Sequence, residues 1–213
     1  MRSARHAGRP APYSASFYDR DTRAVARDLI GAIIECTTPD GVASGRIVET
    51  EAYLGPHDPA CHAVAGLTPR TRDLHGPPGI AYVYRIYGMH WCFNAVTEAA
   101  GVGAAVLVRA VEPVEGIELM RERRPRARRE RDLTNGPGKL CAALGITGDM
   151  SGALLDAPPI VLRRGVAVSD EALFVTPRIG ITRAADWPLR YCLRDSEFVS
   201  ATPASFPRTR YET

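Results

Sequence analysis

Glu49, Glu51 and Tyr53 occupy alternate positions in the run Arg46-Ile-Val-Glu-Thr-Glu-Ala-Tyr-Leu-Gly-Pro56, and His57, Asp58 and His62 follow closely. Alternate residues of a strand share a face, so the two acids and the tyrosine point the same way and run into a Gly-Pro loop. A solvated strand face would explain one acid; two acids followed by this cluster suggest chemistry. A metal centre would need ligands at a recognisable spacing, which His57 and His62 lack. No metal and no cofactor is therefore expected. Glycosidic hydrolysis uses paired carboxylates, and two acids so placed would lie roughly 6.5–7 Å apart at the backbone, near the separation found in inverting sugar hydrolases. Spacing alone leaves Glu49 and Glu51 equivalent. The rings of Tyr53, His62, Tyr82, Tyr84 and Tyr87 suit a flat ligand, because a nucleobase needs stacking on its faces and hydrogen bonds on its edge. Ile80, Tyr82, Tyr84 and Ile86 share one strand face, so at least one of these tyrosines can be ordinary core.

The elements that must position these residues follow from patterning. Asp21 is placed to cap a helix through Ile30, with Val25 and Leu29 on one side. Residues 31–37 and 44–54 read as strands joined by Pro39-Asp40-Gly41. The Gly-, Pro-, His- and Asp-rich stretch 55–79 reads as a long ordered loop, usually a functional feature. The aromatic, β-branched run 80–96, interrupted by Gly88, predicts a hairpin turning near Tyr87-Gly88. A strand at 104–111 and a helix beginning at Pro113 come next. Residues 121–131 carry seven arginines and read as a mobile basic loop or helix end. Asn135-Gly-Pro-Gly-Lys139 opens a helix through Leu144, and strands are expected at 159–163, 173–182 and 189–194. Because strands and helices do not alternate regularly, the expected class is α+β with a largely antiparallel sheet.

Composition bounds the function. The 213 residues, 45% apolar and 24% charged, suit one globular domain with a real core. Net charge is only +3, so the total says little about nucleic acid. The cysteines Cys36, Cys61, Cys92, Cys141 and Cys192 form no CxxC pair, which argues against a disulfide framework and for a reducing compartment. No segment approaches the roughly 18 apolar residues that span a membrane. Residues 1–16, rich in Arg, Ala and Pro, read as a disordered basic tail; the expected domain covers 17–203, with a C-terminal tail at 204–213.

The segment 46–56 with His62 resembles the active-site stretch of the 3-methyladenine (alkyladenine, methylpurine) DNA glycosylase family. Further blocks continue the resemblance in order: Thr68-Pro-Arg70, Gly76-Pro-Pro-Gly79, Tyr82-Val-Tyr84, Tyr87-Gly-Met89, Cys92-Phe-Asn94, Val106 to Pro113 and Gly136-Pro-Gly-Lys-Leu-Cys141. Weaker similarity returns at Arg178-Ile-Gly-Ile181 and Pro188-Leu-Arg-Tyr191, so the likeness covers about residues 17–200. It implies a single curved, largely antiparallel sheet with surrounding helices and a protruding hairpin, like a formyltransferase C-terminal domain. It also implies Glu51 as the general base that directs water at the sugar–base bond, with Arg109 beside it. Tyr53 would stack on one face of a flipped base and His62 and Tyr84 on the other, while the His62 main-chain amide tests the base edge. Asn94 would exclude the exocyclic amine of guanine. Tyr87 would wedge into the minor groove with Met89 beside it, and Leu107 would make a further groove contact. The implied partner is double-stranded DNA carrying damaged purines, met by a monomer with no obligate protein partner, in the cytoplasm and associated with a bacterial nucleoid. One departure is the run Thr71-Arg-Asp-Leu-His75, where family members usually carry Asn and an apolar pair; this bears on substrate range.

Lys139 is the only lysine in the chain. Cutting the backbone would need an amine to form a Schiff base, whereas the Gly-Pro-Gly-Lys setting suggests a phosphate at a helix N-terminus. A monofunctional enzyme that leaves an abasic site is expected. Two rivals remain at this point. A non-enzymatic nucleic-acid-binding module would explain the arginines but leave Glu51 and Arg109 idle. A nucleoside hydrolase acting on small molecules would show little of the salt dependence expected of duplex binding.

Overall fold

The computed structural model describes residues 8–203 and 209–211. Helix α1 (Ala15–Tyr18) precedes α2 (Thr22–Asp28), which Asp21 caps as expected by accepting the amides of Arg23 and Ala24. Strands β1 (Ile33–Thr38) and β2 (Gly41–Tyr53) form a hairpin across Pro39-Asp40. The long loop that follows is ordered by three single-turn 3₁₀ helices, Gly55–His57, His62–Ala65 and Asp73–His75. Then come the hairpin of β3 (Ala81–Ile86) and β4 (His90–Thr97), strand β5 (Ala104–Glu115), and helices α3 (Ile117–Arg123) and α4 (Pro137–Leu144). Strands β6 (Ile160–Arg163), β7 (Leu173–Thr176), β8 (Arg190–Leu193) and β9 (Thr209–Arg210) complete the elements.

Among the described residues all nine strands join one antiparallel sheet, in the order β3-β4-β5-β2-β8-β7-β9. Strand β2 organises it. Its first half pairs with β1, which in turn carries β6, whereas its second half pairs with β8. Changing partners along one edge requires the strand to bend, and the β2–β5 ladder shifts register at Ser44/Gly45 and twice between Ile47 and Thr50. Gly45 is needed at the first shift, because a Cβ there would lie 2.7 Å from the Val111 side chain.

Strand alternation divides the sheet into two faces with different uses. Val83, Phe93, Ala95, Val106, Val108 and Ala52 pack into the main core with Val25 and Leu29 of α2 and Leu140 and Leu144 of α4. Each fully buried Val, Leu or Phe side chain among them contributes about 1.5–3 kcal/mol. The residues between them, Tyr82, Tyr84, Cys92, Asn94, Leu107 and Arg109, line a cavity on the opposite face.

Four expectations are corrected. Strand β5 runs on through Pro113 to Glu115, and the helix starts at Ile117. Pro113 lies opposite Gly45, at the register shift, where a missing amide costs the ladder least; Gly116, at φ +73°, then turns the chain where a Cβ would meet the Val42 carbonyl. The strand expected over 173–182 stops at Thr176, because Pro177 ends it and the chain folds over the sheet. The expected tail at 1–16 is packed from at least Ala11, where Ala11 accepts the Arg164 amide and Tyr13 donates to Leu162; residues 1–7 lie outside the described residues. The expected C-terminal tail contains β9, and Tyr211 packs against Tyr191 at 5.9 Å; residues 204–208, 212 and 213 lie outside the described residues. The Arg-rich stretch ends α3 and runs through a 3₁₀ turn at Glu130–Leu133, with Arg121 on Glu130, Arg123 on Thr38 and Arg129 on Asp132. Among the described residues no helix is long and apolar enough to cross a membrane, and all five cysteines are buried and free.

Candidate active site

The two acids of β2 are not on a solvated face. Both are fully buried, beneath the segments that follow β7 and β8. Glu49 accepts from Arg109 Nε at 2.8 Å, Arg190 Nε at 2.7 Å, and the amide and hydroxyl of Ser200 at 2.7 and 2.8 Å. Burial alone would raise its pKa, but the guanidinium groups of Arg109 and Arg190 overcome that and hold it below the ordinary carboxylate value. Glu51 accepts from the Tyr53 hydroxyl at 3.0 Å, Arg109 Nη1 at 3.2 Å and the Ile179 amide at 2.8 Å. Arg109 therefore bridges both acids. Burial works against its charge, but Glu51 and Glu49 prevail and push its pKa further up.

Tyr53 and Arg109, the two side chains bonded to Glu51, also line a cavity of about 320 Å³. That volume is at the small end of the range for ligand sites. Its aromatic wall is built from the loop and from β3. The His62 and Tyr84 rings meet edge to face at 4.5 Å, and Tyr82 lies 5.3 Å from Tyr84. His62 Nδ1 is 2.9 Å from the Tyr82 hydroxyl. Burial, with help from nearby Arg70, lowers the His62 pKa, so the ring is neutral at neutral pH. Burial also pushes Tyr82 up to about 12 and Tyr53 well above the ordinary tyrosine value, so these hydroxyls stay protonated donors. Asn94 is buried and anchored by donation from Nδ2 to the Tyr82 carbonyl at 3.0 Å.

The cavity thus gathers Tyr53, His62, Tyr84, Asn94, Arg109, Tyr87 and Leu107, with Pro137 of α4 at its rim. Three residues stand differently. Leu107, expected at the groove surface, is 3% exposed and forms part of the cavity wall, because it alternates with Val106 and Val108 across β5. Met89 projects from the hairpin tip beside Tyr87, which is 86% exposed and adopts φ +50°. Lys139 is exposed near the rim, its ammonium on Asn135 at 2.7 Å.

Sequence reasoning assigned no role to Arg178, Ile179, Arg190 or Ser200. All four come from irregular or short C-terminal segments that carry no periodic signal. The pointers were the run Pro188-Leu-Arg-Tyr191, which holds Arg190, and the run Arg178-Ile-Gly-Ile181, whose Ile179, Gly180 and Ile181 line the cavity.

Residues 16–197 match the model of the family described as methylpurine-DNA glycosylase. Similar proteins named as candidate 3-methyladenine DNA glycosylases occur in bacteria and archaea. That of Myxococcus xanthus is 51% identical over 191 residues, covering 88% of this chain and 93% of the relative. Those of Agrobacterium fabrum and Methanoculleus marisnigri are 51% and 49% identical, each over 87% of this chain and 90% and 97% of their own lengths. The chain belongs to the methylpurine-DNA glycosylase family.

Proposed function

We propose that this protein flips an alkylated or deaminated purine out of duplex DNA and hydrolyses its N-glycosidic bond, leaving an abasic site. The observation that carries the reading is the arrangement of Glu51 behind an aromatic cavity, bonded to three of the residues that line it. In the reaction the base lies between Tyr53 and the His62–Tyr84 pair. The Tyr87–Met89 tip fills the gap it leaves, offsetting lost stacking. Glu51 accepts a proton from a water that attacks C1′, and its charge stabilises the positive sugar as the C1′–N bond breaks. The bonding electrons depart with the base. Arg109, bonded to Glu51, helps hold the water.

A cationic base such as 3-methyladenine leaves without an acid, so it is expected to be released faster than hypoxanthine or ethenoadenine. Lys139, the only lysine, is exposed at the rim with its ammonium bonded to Asn135, a setting suited to a backbone phosphate and to simple hydrolysis. The enzyme works as a monomer on nucleoid DNA.

The test offers duplexes containing 3-methyladenine, 7-methylguanine, hypoxanthine or ethenoadenine and scores alkali-labile sites. Release that disappears in Glu51→Gln, with duplex binding retained, supports the reading. No release from any duplex overturns it, and a borohydride-trapped covalent complex overturns the monofunctional assignment.

A further inference from the structure

Arg178 and Asp58 form a buried ion pair that the reaction above leaves unused. Both side chains are completely buried. Arg178 Nη2 donates to Asp58 Oδ1 at 2.8 Å, while Nη1 donates to the second Asp58 oxygen and, at 2.9 Å, to the Ala52 carbonyl. Asp58 also accepts the amides of Leu54 and Ala60 at 3.2 and 3.0 Å. Burial opposes both charges, yet Arg178 together with the Ala60 and Leu54 amides holds the Asp58 carboxyl below its ordinary value, and Asp58 with nearby Tyr53 and Glu51 raises the guanidinium.

Two contacts tie this pair to the reacting centre. The Arg178 guanidinium carbon lies 4.6 Å from the centroid of the Tyr53 ring. The next backbone amide, Ile179, donates to Glu51 at 2.8 Å. Arg178 Nε meanwhile has no hydrogen-bond partner. A residue serving only to staple two loops would gain by satisfying that donor; here the donor is forgone while the guanidinium stays against the ring.

We infer that Arg178, locked by Asp58, is a positioning residue that sets the plane of Tyr53 and holds the Ile179 amide against Glu51. The inference rests on the proposed hydrolysis for its kinetic consequence, though not for its geometry. With Tyr53 and Ile179 each fixed on a Glu51 oxygen, the remaining acceptor direction of the carboxylate is left for water. A shift of about an ångström at such a centre costs roughly 10²-fold in rate.

The experiment uses the full chain and the double variant Asp58→Asn/Arg178→Met, since removing both charges avoids stranding either in the interior. Two readouts are taken: the Ile179 amide resonance in the DNA-free protein, and the single-turnover release rate at saturating duplex beside the duplex Kd. The expected result is a displaced Ile179 resonance and a rate reduced roughly 10²-fold, with Kd held within about twofold. Arg178→Lys, which keeps the charge but not the fork, is expected to recover part of the rate and carries the same test if the double variant does not fold. A folded variant with the wild-type saturating rate overturns the inference, as does an unmoved resonance or a loss expressed wholly in Kd. If the wild-type protein releases no base at all, the hydrolysis reading fails, and the resonance alone still decides the positioning.

Discussion

Two regions of one strand face hold the same functional group in different company. Around Glu49 the carboxylate receives four hydrogen bonds, from Arg109, Arg190 and two groups of Ser200. Around Glu51 it receives three, from Tyr53, Arg109 and the Ile179 amide. An ionised carboxylate offers about four acceptor directions, two on each oxygen. Glu49 takes three bonds on Oε1 and one on Oε2. Glu51 takes two on Oε2 and one on Oε1, so each acid keeps one oxygen with room for a further donor. Their neighbours differ. All three residues that donate to Glu51, namely Tyr53, Arg109 and Ile179, line the cavity, whereas of the donors to Glu49 only Arg109 does, Arg190 and Ser200 belonging to packed chain. Burial and strand position are shared, and neither distinguishes a structural acid from a reactive one. The company of cavity-lining residues does.

Exchange of the reactive acid should have the largest effect. Glu51→Gln keeps shape and most contacts but cannot take the proton, so single-turnover release of 3-methyladenine should fall about 10²- to 10⁴-fold while duplex affinity survives. Retained release would assign the base elsewhere and erase the distinction. On the Glu49 side, Arg190→Met should act on the fold. Arg190 is fully buried and also bonds Thr176, Thr202 and the Ser200 carbonyl. Breaking a buried pair by removing one partner costs about 3–5 kcal/mol, to be read from urea unfolding, with release per folded molecule near wild type.

Acid sharpens the comparison by a smaller step. Because the folded Glu49 pKa lies below its ordinary 4.5, the unfolded chain takes up the proton first as pH falls. The stability from Glu49 is therefore fully present above about pH 4.5 and is lost as pH drops through its folded value. Glu49→Gln should be less stable than wild type at neutral pH, and that deficit should shrink below pH 4.5, followed by urea midpoints at a series of pH values. A deficit that stays constant with pH would mean that Glu49 is not held as an anion.

Much of this distinction was beyond the reach of sequence. Alternation placed Glu49, Glu51 and Tyr53 on one face, and the Pro-Asp turn, the Asp21 cap and the Tyr87–Gly88 hairpin tip were all legible, because each rests on local backbone chemistry. Local pattern could not separate the two acids, since the groups that separate them arrive from residues 178–202, where short strands and loops carry no period. Local signals misled where tertiary context prevailed. Pro113 reads as a helix start but sits at a bulge opposite Gly45, and the basic, Pro-rich start reads as a tail although Tyr13 stacks on Phe17 at 3.8 Å. Leu107 looked like a groove contact because sequence does not reveal how deeply the cavity enters the sheet.

Ser200→Ala gives the smallest effect and the closest comparison. It removes the hydroxyl from Glu49 Oε1 but spares the amide on Oε2, which leaves Glu49 with three partners, as many as Glu51. Loss of one such bond should cost about 0.5–1.5 kcal/mol in unfolding free energy. If a carboxylate with one donor fewer were sufficient for chemistry, Ser200→Ala placed on the Glu51→Gln background would restore some base release. No restoration is expected, because Oε1 keeps its bonds from Arg109 and Arg190 and Glu49 stays under the packed Arg190–Ser200 segment. Measurable release by the double variant would show that acceptor count, rather than access to the cavity, is what divides the two carboxylates.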